Sequence, residues 1–322
     1  MKAAIVGISG QSLTANEAAL LAELRPLGVI LFARNISDPA QVAALREALP
    51  EGVFMMVDQE GGRVARLRPP HWMGHPAVAS IGALYARDRT AGARAAWLQG
   101  ALIGAECAAA GFGVVAAPVL DVGGTHDVIG DRSFSGDPAT VAVLGGEMAR
   151  GLLAGGVVPV GKHAPGHGRA RADSHLELPV LEDVSENDLV PFRTNAWLPW
   201  MMTAHIRYTA RDMMNPATHS AAVIGGVIRA TGFDGVLVTD DLAMQALSGA
   251  PRERAARALA AGCDVALHCS GVFADTRDVL ESVQDVDAGL RARLDAGFAM
   301  AGAARQALNL GALAAERAAL LG

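Results

Sequence analysis

The sequence has few cysteines and no long apolar run, and both absences limit the classes of protein to which it can belong. Among 322 residues there are three cysteines, at Cys107, Cys263 and Cys269, and no CxxC pair, which is typical of a reducing compartment. No window approaches the roughly 18 uncharged apolar residues that a membrane-spanning helix needs. Met1–Gly7 contains one lysine and a short apolar run, which predicts a strand and not a signal peptide. We therefore expect a soluble, cytoplasmic protein with no membrane partner.

Basic residues are neither abundant nor clustered. The chain has 27 Lys and Arg against 33 Asp and Glu, a net charge of −6. Nucleic acids and anionic membranes bind through positive patches, so neither is expected as a partner. The GxGxxG pattern of a dinucleotide-binding turn does not follow the first predicted strand. We expect no cofactor, no bound metal and a monomeric chain.

Short apolar runs alternate with helical patterns along most of the chain. Eight runs predict strands at Ala3–Val6, Val29–Phe32, Val53–Val57, Gly113–Ala116, Val157–Gly161, Trp200–Thr203, Gly235–Thr239 and Val265–Leu267. The segments between them predict helices at Ala15–Glu23, Pro39–Leu49, Ala91–Ala110, Pro138–Leu153, Glu186–Asn195, Ala221–Ala230 and Arg252–Ala261. Strands that are apolar on both faces and alternate with helices form parallel sheets. The pattern predicts one α/β domain, residues 1–322, folded as a (β/α)8 TIM-type barrel with extra helices in its C-terminal tail.

Polar residues follow seven of the eight predicted strands. In chain order they are Arg34 and Asn35, then Asp58, Gln59 and Glu60, then Asp121, then Lys162 and His163, then His205, then Asp240 and Asp241, and finally His268. The carboxyl ends of barrel strands carry the active site in this fold. We therefore expect these side chains to surround one cavity.

The segment from Lys162 to His175 concentrates titratable groups. Pro165, Gly166 and Gly168 prevent a regular helix there, so the segment is predicted to be a loop, and loops on a rigid scaffold often carry catalytic groups. Residues two apart in an extended stretch point to the same side, which would let Asp173 hold the imidazole of His175. Histidine, with an unperturbed pKa of about 6.5, can donate a proton and take it back near neutral pH.

Six segments together resemble glycoside hydrolase family 3, in particular its short bacterial β-N-acetylglucosaminidases. They are Asp58–Val64, Asp131–Phe134, Lys162–Gly168, Asp173–His175, Thr203–His205 and Thr239–Met244. They occur in the family's order over about Gly28 to Ser270. One departure is Ala164, at a position where the family usually has Phe.

The resemblance implies a retaining mechanism with a covalent glycosyl-enzyme intermediate. Asp240 would be the nucleophile that attacks the anomeric carbon. His175, paired with Asp173, would be the acid and base, in place of the second carboxylic acid that most glycosidases use. The implied substrate is a small carbohydrate, a terminal non-reducing β-linked N-acetylglucosamine of an anhydro-muropeptide, removed during peptidoglycan recycling.

The resemblance also implies which residues contact the substrate. Asp58, Arg66, Arg132, Lys162 and His163 would form the sugar-binding pocket, because desolvated sugar hydroxyls need charged or bidentate partners. Within the family, a β-glucosidase or β-xylosidase is the nearest alternative, although those members are usually longer.

Two other functional classes remain open from the residues alone. A zinc-dependent barrel hydrolase would use His163 and His167 with some of His175, His205, Asp240 and His268, but Pro165 and Gly166 interrupt the helix that i, i+4 ligands normally share. A non-catalytic sugar-binding barrel would be expected to have lost either the nucleophile or the acid. Glu60 is a further candidate for the acid.

Several polar residues have simpler structural interpretations. Asp241, next to Asp240, is expected to cap the following helix through its backbone N–H groups. Asp121 is expected to bind a neighbouring loop, His167 to bond within its own loop, and His268 to be a core residue. The remaining histidines are expected at the surface or in turns, namely His71, His75, His126 and His219.

Overall fold

Eight parallel strands form the central sheet, and the sheet closes on itself. The computed structural model describes residues 1–123, 128–170, 172, 174 and 176–322. The barrel strands are β1 (Lys2–Gly7), β2 (Pro26–Leu31), β3 (Phe54–Val57), β4 (Phe112–Val115), β5 (Val158–Ala164), β7 (Trp200–Thr203), β9 (Val236–Val238) and β10 (Ala266–His268). Their order is β10-β1-β2-β3-β4-β5-β7-β9, and a parallel bridge between Val238 and Val265 joins the two ends. The predicted TIM-type barrel and all eight of its predicted strands are confirmed.

The strands are apolar on both faces because each face is buried in a different core. Residues of one face, such as Ile5, Val160 and Trp200, pack inside the barrel. Residues of the other, such as Val6 and Met201, pack against the surrounding helices. This arrangement explains why the strands appear in the sequence as continuous apolar runs and not as an alternating pattern.

Eleven helices surround or close the barrel in the part of the chain that is described. They are α1 (Ala15–Leu24), α2 (Pro39–Ala48), α3 (Val78–Arg87), α4 (Arg89–Ala109), α5 (Pro138–Gly155), α6 (Glu186–Thr194), α7 (Ala221–Val223), α8 (Pro251–Ala261), α9 (Phe273–Ser282), α10 (Ala288–Ala304) and α11 (Leu310–Leu321). Local signals fix several ends: Asp137 caps α5 just before Pro138, and Gly156 ends it in the left-handed conformation.

Helix α10 closes the amino-terminal end of the barrel. Its Leu290, Leu294 and Ala301 belong to the same buried cluster as the barrel interior. Its Phe298 packs on Phe54, the first residue of β3, with ring centroids 5.5 Å apart. Helix α10 thus covers the amino-terminal end of the barrel with apolar side chains, opposite the carboxyl ends that the polar residues follow.

The structure differs from the sequence-based prediction in three respects. Helix α3 was not predicted; it is short and contains Gly82, where a Cβ would lie 1.6 Å from the carbonyl oxygen of Phe134. The helix predicted over Ala221–Ala230 begins as α7 but continues as a π-helical turn, Ile224–Ile228, that contains two glycines. Strands β6 (Val180–Leu181) and β8 (Arg207–Tyr208) form a separate two-stranded sheet, and two residues are too few to give a periodic signal.

Candidate active site at the carboxyl ends of the strands

A single cavity opens at the carboxyl ends of the barrel strands and gathers side chains from distant parts of the chain. Its charged and polar lining is Asp58, Glu60, Arg66, Arg132, Lys162, His163, His167, Ser174, Asp240 and Asp241. Its apolar lining includes Phe32, Met202 and Leu267. The three apolar residues lie at or just beyond the ends of β2, β7 and β10, and the sequence analysis did not single them out. Their inward direction could have been predicted, because residues that face the barrel interior alternate along each strand with residues that face the helices.

One wall of the cavity is a chain of ion pairs. Lys162 Nζ lies 2.9 Å from Asp58 Oδ1 and 2.6 Å from Glu60 Oε1. Arg132 binds both oxygens of Glu60, each at 2.9 Å, and Arg66 lies 3.3 Å from Asp58. Three cations thus surround two carboxylates. This wall presents fixed charges to a ligand.

The cations keep both carboxylates ionised. Burial by itself would raise the pKa of Asp58, but Lys162 and Arg66 hold that pKa far below its ordinary value. Burial likewise opposes ionisation of Glu60, and Lys162 and Arg132 again lower its pKa. A group that gives up its proton so readily is a poor general acid at neutral pH. The geometry therefore argues against Glu60 as the acid.

Asp240 lines the same cavity and lies two residues after the end of β9. Its backbone N–H donates to Thr203 Oγ1 at 3.3 Å, and its Oδ1 accepts from the Asp241 N–H at 2.8 Å. Burial would raise its pKa, but the His163 and His205 imidazoles hold the pKa below the ordinary value. Asp240 is thus an ionised carboxylate in the cavity wall.

Asp241 has a structural role, although it too borders the cavity. Its Oδ1 accepts hydrogen bonds from the N–H groups of Ala243 and Cys269, at 2.8 and 2.9 Å. These bonds join the segment after β9 to the end of β10. A helix cap was predicted for Asp241, but no helix begins there, since the residues that follow form turns until α8 begins at Pro251.

Asp121 anchors the segment that follows β5. Its buried carboxylate accepts from His163 Nδ1 at 2.7 Å and from the backbone N–H of His167 at 2.6 Å. The turn between them needs its glycines: Gly166 has φ of +131°, and a Cβ on Gly168 would lie 1.7 Å from the carbonyl oxygen of Val122. The prediction that Asp121 binds a neighbouring loop is confirmed.

These side chains carry the motifs of a known enzyme family, and the comparison with known proteins decides which. The Glycosyl hydrolase family 3 N terminal domain matches residues 5–296. The chain belongs to glycosyl hydrolase family 3. It is therefore a glycoside hydrolase.

Curated relatives of this family 3 chain include two bacterial beta-hexosaminidases. The protein from Alkalilimnicola ehrlichii is 42% identical over 280 residues, covering 83% of this chain and 80% of the relative. The protein from Bordetella avium is 38% identical over 283 residues, covering 83% and 80%.

Solved structures of family 3 agree with the fold. NagZ from Neisseria gonorrhoeae, crystallised with N-trifluoroacetyl-D-glucosamine, superposes with a TM-score of 0.86 at 31% identity, covering 100% of this chain and 98% of that one. A family 3 beta-N-acetylglucosaminidase from Paenibacillus sp. str. FPU-7 gives a TM-score of 0.80 at 32% identity, covering 98% of this chain and 61% of that one.

The structure brings most of the predicted site residues of this family 3 chain together. Asp58, Arg66, Arg132, Lys162, His163 and Asp240 line the same cavity. Asp173 and His175, predicted as the acid and base, lie outside the described residues. His126 also lies outside them. Ala164, the departure from the family pattern, is fully buried at the end of β5.

The remaining histidines divide between buried and exposed positions. His205 is fully buried, with Nδ1 on Thr218 Oγ1 and Nε2 on the Asp241 carbonyl. His268 is buried as predicted and bonds Ser270. Of the histidines predicted at the surface or in turns, two lie in turns or connecting segments but are not at the surface. His75 is buried between Glu106 and Arg317 because helix α11 covers it, and His219 is buried against the Arg254 carbonyl.

No described helix is both long and apolar enough to cross a membrane. Among the described residues, no three His, Cys, Asp or Glu side chains converge in a way that would hold a metal ion.

Proposed function

We propose that this chain is a retaining exo-β-N-acetylglucosaminidase that releases terminal non-reducing β-linked N-acetylglucosamine. The observation that carries the proposal is Asp240, an ionised carboxylate held in the same cavity as the Asp58–Lys162–Glu60–Arg132 ion pairs. The named relatives support the sugar, since they are beta-hexosaminidases. The N. gonorrhoeae structure supports it as well, since it holds an N-acylated glucosamine derivative.

The proposed first step forms a glycosyl-enzyme. A carboxylate oxygen of Asp240 bonds to the anomeric carbon while the bond from that carbon to the leaving oxygen breaks. His175, oriented by Asp173, gives its proton to the leaving oxygen. In the second step water attacks the anomeric carbon, its proton passes to His175, and the bond to Asp240 breaks. The protonation state of His175 and the charge of Asp240 are thereby restored.

The ion-pair wall would bind the sugar that is transferred. Asp58 accepts hydrogen bonds from ring hydroxyls, while Arg66, Arg132, Lys162 and His163 complete the pocket. Arg66 retains capacity for this, because its buried Nε has no hydrogen-bond partner among the described residues. Fixed charges hold hydroxyls in one orientation without first having to reorganise.

The proposed setting is peptidoglycan recycling in the cytoplasm, with a muropeptide-derived saccharide as substrate and a monomeric enzyme. Three buried free thiols fit a reducing compartment. The proposal takes residues 1–322 as one catalytic domain.

The decisive experiment compares Asp240→Ala with the parent on aryl β-N-acetylglucosaminide, β-glucoside and β-xyloside. Loss of a nucleophile is expected to reduce kcat/KM by about 10³-fold or more. The control is Asp295→Ala on α10, an exposed carboxylate at the closed end of the barrel. A slowly hydrolysed 5-fluoro sugar should label Asp240 covalently, as judged by peptide mass.

Each alternative has its own result in this experiment. A higher kcat/KM on the glucoside or xyloside than on the N-acetylglucosaminide would replace the proposed substrate with one of those sugars. Activity that collapses with a chelator and returns with zinc would favour a metal hydrolase. Full activity of Asp240→Ala would contradict the proposed mechanism, in which Asp240 is the nucleophile.

A further inference from the structure

Ser174 is the described residue that joins the loop after β5 to the loop after β9. Its Oγ lies 3.0 Å from Nε2 of His167, and its carbonyl oxygen accepts from the Ala246 N–H at 3.3 Å. Ser174 is buried and lines the cavity. Two bonds from two different strand ends thus fix one residue at the mouth of the barrel.

The His167 ring is aimed at Ser174 by a backbone that has little freedom. The His167 N–H donates to the Asp121 carboxylate at 2.6 Å. The glycines on either side are packed against Asp188 and against the Val122 carbonyl. Because the turn cannot shift, the direction of the imidazole is set by the fold.

The hydrogen bonding of the ring is one-sided. Nε2 bonds Ser174, whereas the buried Nδ1 has no hydrogen-bond partner among the described residues. Burial lowers the pKa of His167 and so favours the neutral ring. A buried nitrogen without a partner costs free energy, and such exceptions call for an explanation other than packing.

The second hydrogen bond to Ser174 comes from the segment that carries the proposed nucleophile. Ala246 follows Asp240 and Asp241 by a few residues, and Met244 of the same segment lines the cavity. The bond from Ala246 to Ser174 therefore relates the β5 loop directly to the position of Asp240. Ser174 stands in the sequence between Asp173 and His175.

We propose that His167 is a positioning residue for the acid and base step, which acts through Ser174 to hold the loop after β5 against the segment that carries Asp240. This inference rests on the proposed function, since it assigns His167 to the acid and base step of that reaction. His167 itself does not exchange a proton with the substrate. Its contribution is the placement of the proton donor relative to the anomeric carbon.

Two near-isosteric variants of His167 test the role of each ring nitrogen. In His167→Gln the side-chain amide reaches the place of Nε2, and in His167→Asn it reaches only the place of Nδ1. His167→Gln is expected to retain the bond to Ser174 and most of the activity. His167→Asn is expected to lose that bond and the activity that depends on it. Ser174→Ala removes the other partner with little change in volume. His219→Asn is the control, because His219 is also buried, bonds a backbone carbonyl and does not line the cavity.

The readout is kcat/KM on aryl β-N-acetylglucosaminides with leaving groups of different basicity. This parameter reports formation of the glycosyl-enzyme and not its hydrolysis. The leaving oxygen of a phenyl glycoside is basic and needs protonation to depart. The leaving oxygen of a dinitrophenyl glycoside is weakly basic and needs almost none. His167→Asn and Ser174→Ala should therefore each lose about 10-fold or more on the phenyl substrate and less than about 3-fold on the dinitrophenyl substrate. The double variant should be no worse than either single one.

The outcomes separate this inference from the function on which it rests. If the parent hydrolyses no N-acetylglucosaminide, or Asp240→Ala keeps parental activity, the proposed function fails. If those tests succeed but His167→Asn loses the same factor on both leaving groups, the positioning role is overturned. Equal activity of the Gln and Asn variants, or losses that add in the double variant, would overturn it too.

Discussion

His163 and Asp121 form an imidazole–carboxylate pair at the mouth of the barrel, with Nδ1 of His163 2.7 Å from Oδ2 of Asp121. The Asp121 carboxylate is fully buried, and His163 lines the cavity. A carboxylate bound at Nδ1 places a proton on that nitrogen and leaves Nε2 to face the ligand. Burial raises the pKa of Asp240, and His163 is the neighbour that contributes most to holding that pKa below its ordinary value. Asp121, which follows β4, is thus linked through His163 to the proposed nucleophile, Asp240.

Replacing Asp121 by Asn should reduce activity more than it reduces stability. The amide can donate to Nδ1 as well as accept from it, so the ring loses its fixed tautomer. A charged hydrogen bond is worth about 1.5–3 kcal/mol, which corresponds to a roughly 10- to 100-fold lower kcat/KM. Asp264→Asn is the control, since Asp264 is a partly buried carboxylate bound by Arg229 and Arg293. Equal activity losses in the two variants would contradict the prediction.

Replacing Glu60 by Gln should destabilise the protein without any dependence on the leaving group. Removing one partner of a buried ion pair costs about 3 kcal/mol, and Lys162 and Arg132 both lose a partner here. The free energy of unfolding in urea measures the cost. Glu316→Gln is the matched control, because Glu316 makes the same bidentate contact with Arg94 on the surface. There the cost should stay below about 1 kcal/mol. An activity loss confined to poor leaving groups would instead identify Glu60 as the acid.

Stability should fall as the pH decreases from about 6.5 towards 4, and His219 should account for part of the fall. Burial lowers the pKa of His219 to about 4 in the folded protein, against about 6.5 in an unfolded chain. Between these values the unfolded state binds more protons, so the free energy of unfolding decreases as pH decreases. Both His219→Gln and His219→Leu should show a shallower pH dependence, despite different packing. Denaturant titrations at several pH values would measure it, and an unchanged slope in both would refute the assignment.

Gly168→Ala should disrupt the turn after β5, whereas Gly302→Ala should be tolerated. A Cβ at residue 168 would lie 1.7 Å from the Val122 carbonyl oxygen, while nothing lies within 4 Å of the Cβ position at residue 302. Gly302 is in helix α10, where alanine is favoured over glycine by about 0.5–1 kcal/mol. Thermal melting and kcat/KM of both variants test this. A folded, fully active Gly168→Ala enzyme would show that the turn tolerates a different backbone path.

The barrel and half of its site were predictable because both depend on local pattern. A strand buried on two faces must be apolar along its whole length, so the eight barrel strands were visible one by one. The site position followed from the parallel arrangement, since the carboxyl ends of all strands meet at one edge. From this rule alone, Asp58, Lys162, His163 and Asp240 are expected around the same cavity.

The partners of those side chains were not predictable, because they join residues distant in the sequence. No local signal shows that Asp58, Glu60, Arg132 and Lys162 form one chain of ion pairs. These pairs lower the pKa of Glu60, which argues against Glu60 as the acid. Nor does any show that α11 covers His75, or that α10 closes the amino-terminal end. By itself the sequence determined which segments are strands, and which residues those strands carry to the open end, because these follow from burial and periodicity. Only the tertiary structure decided which charges neutralise one another, because a pKa is set by neighbours in space.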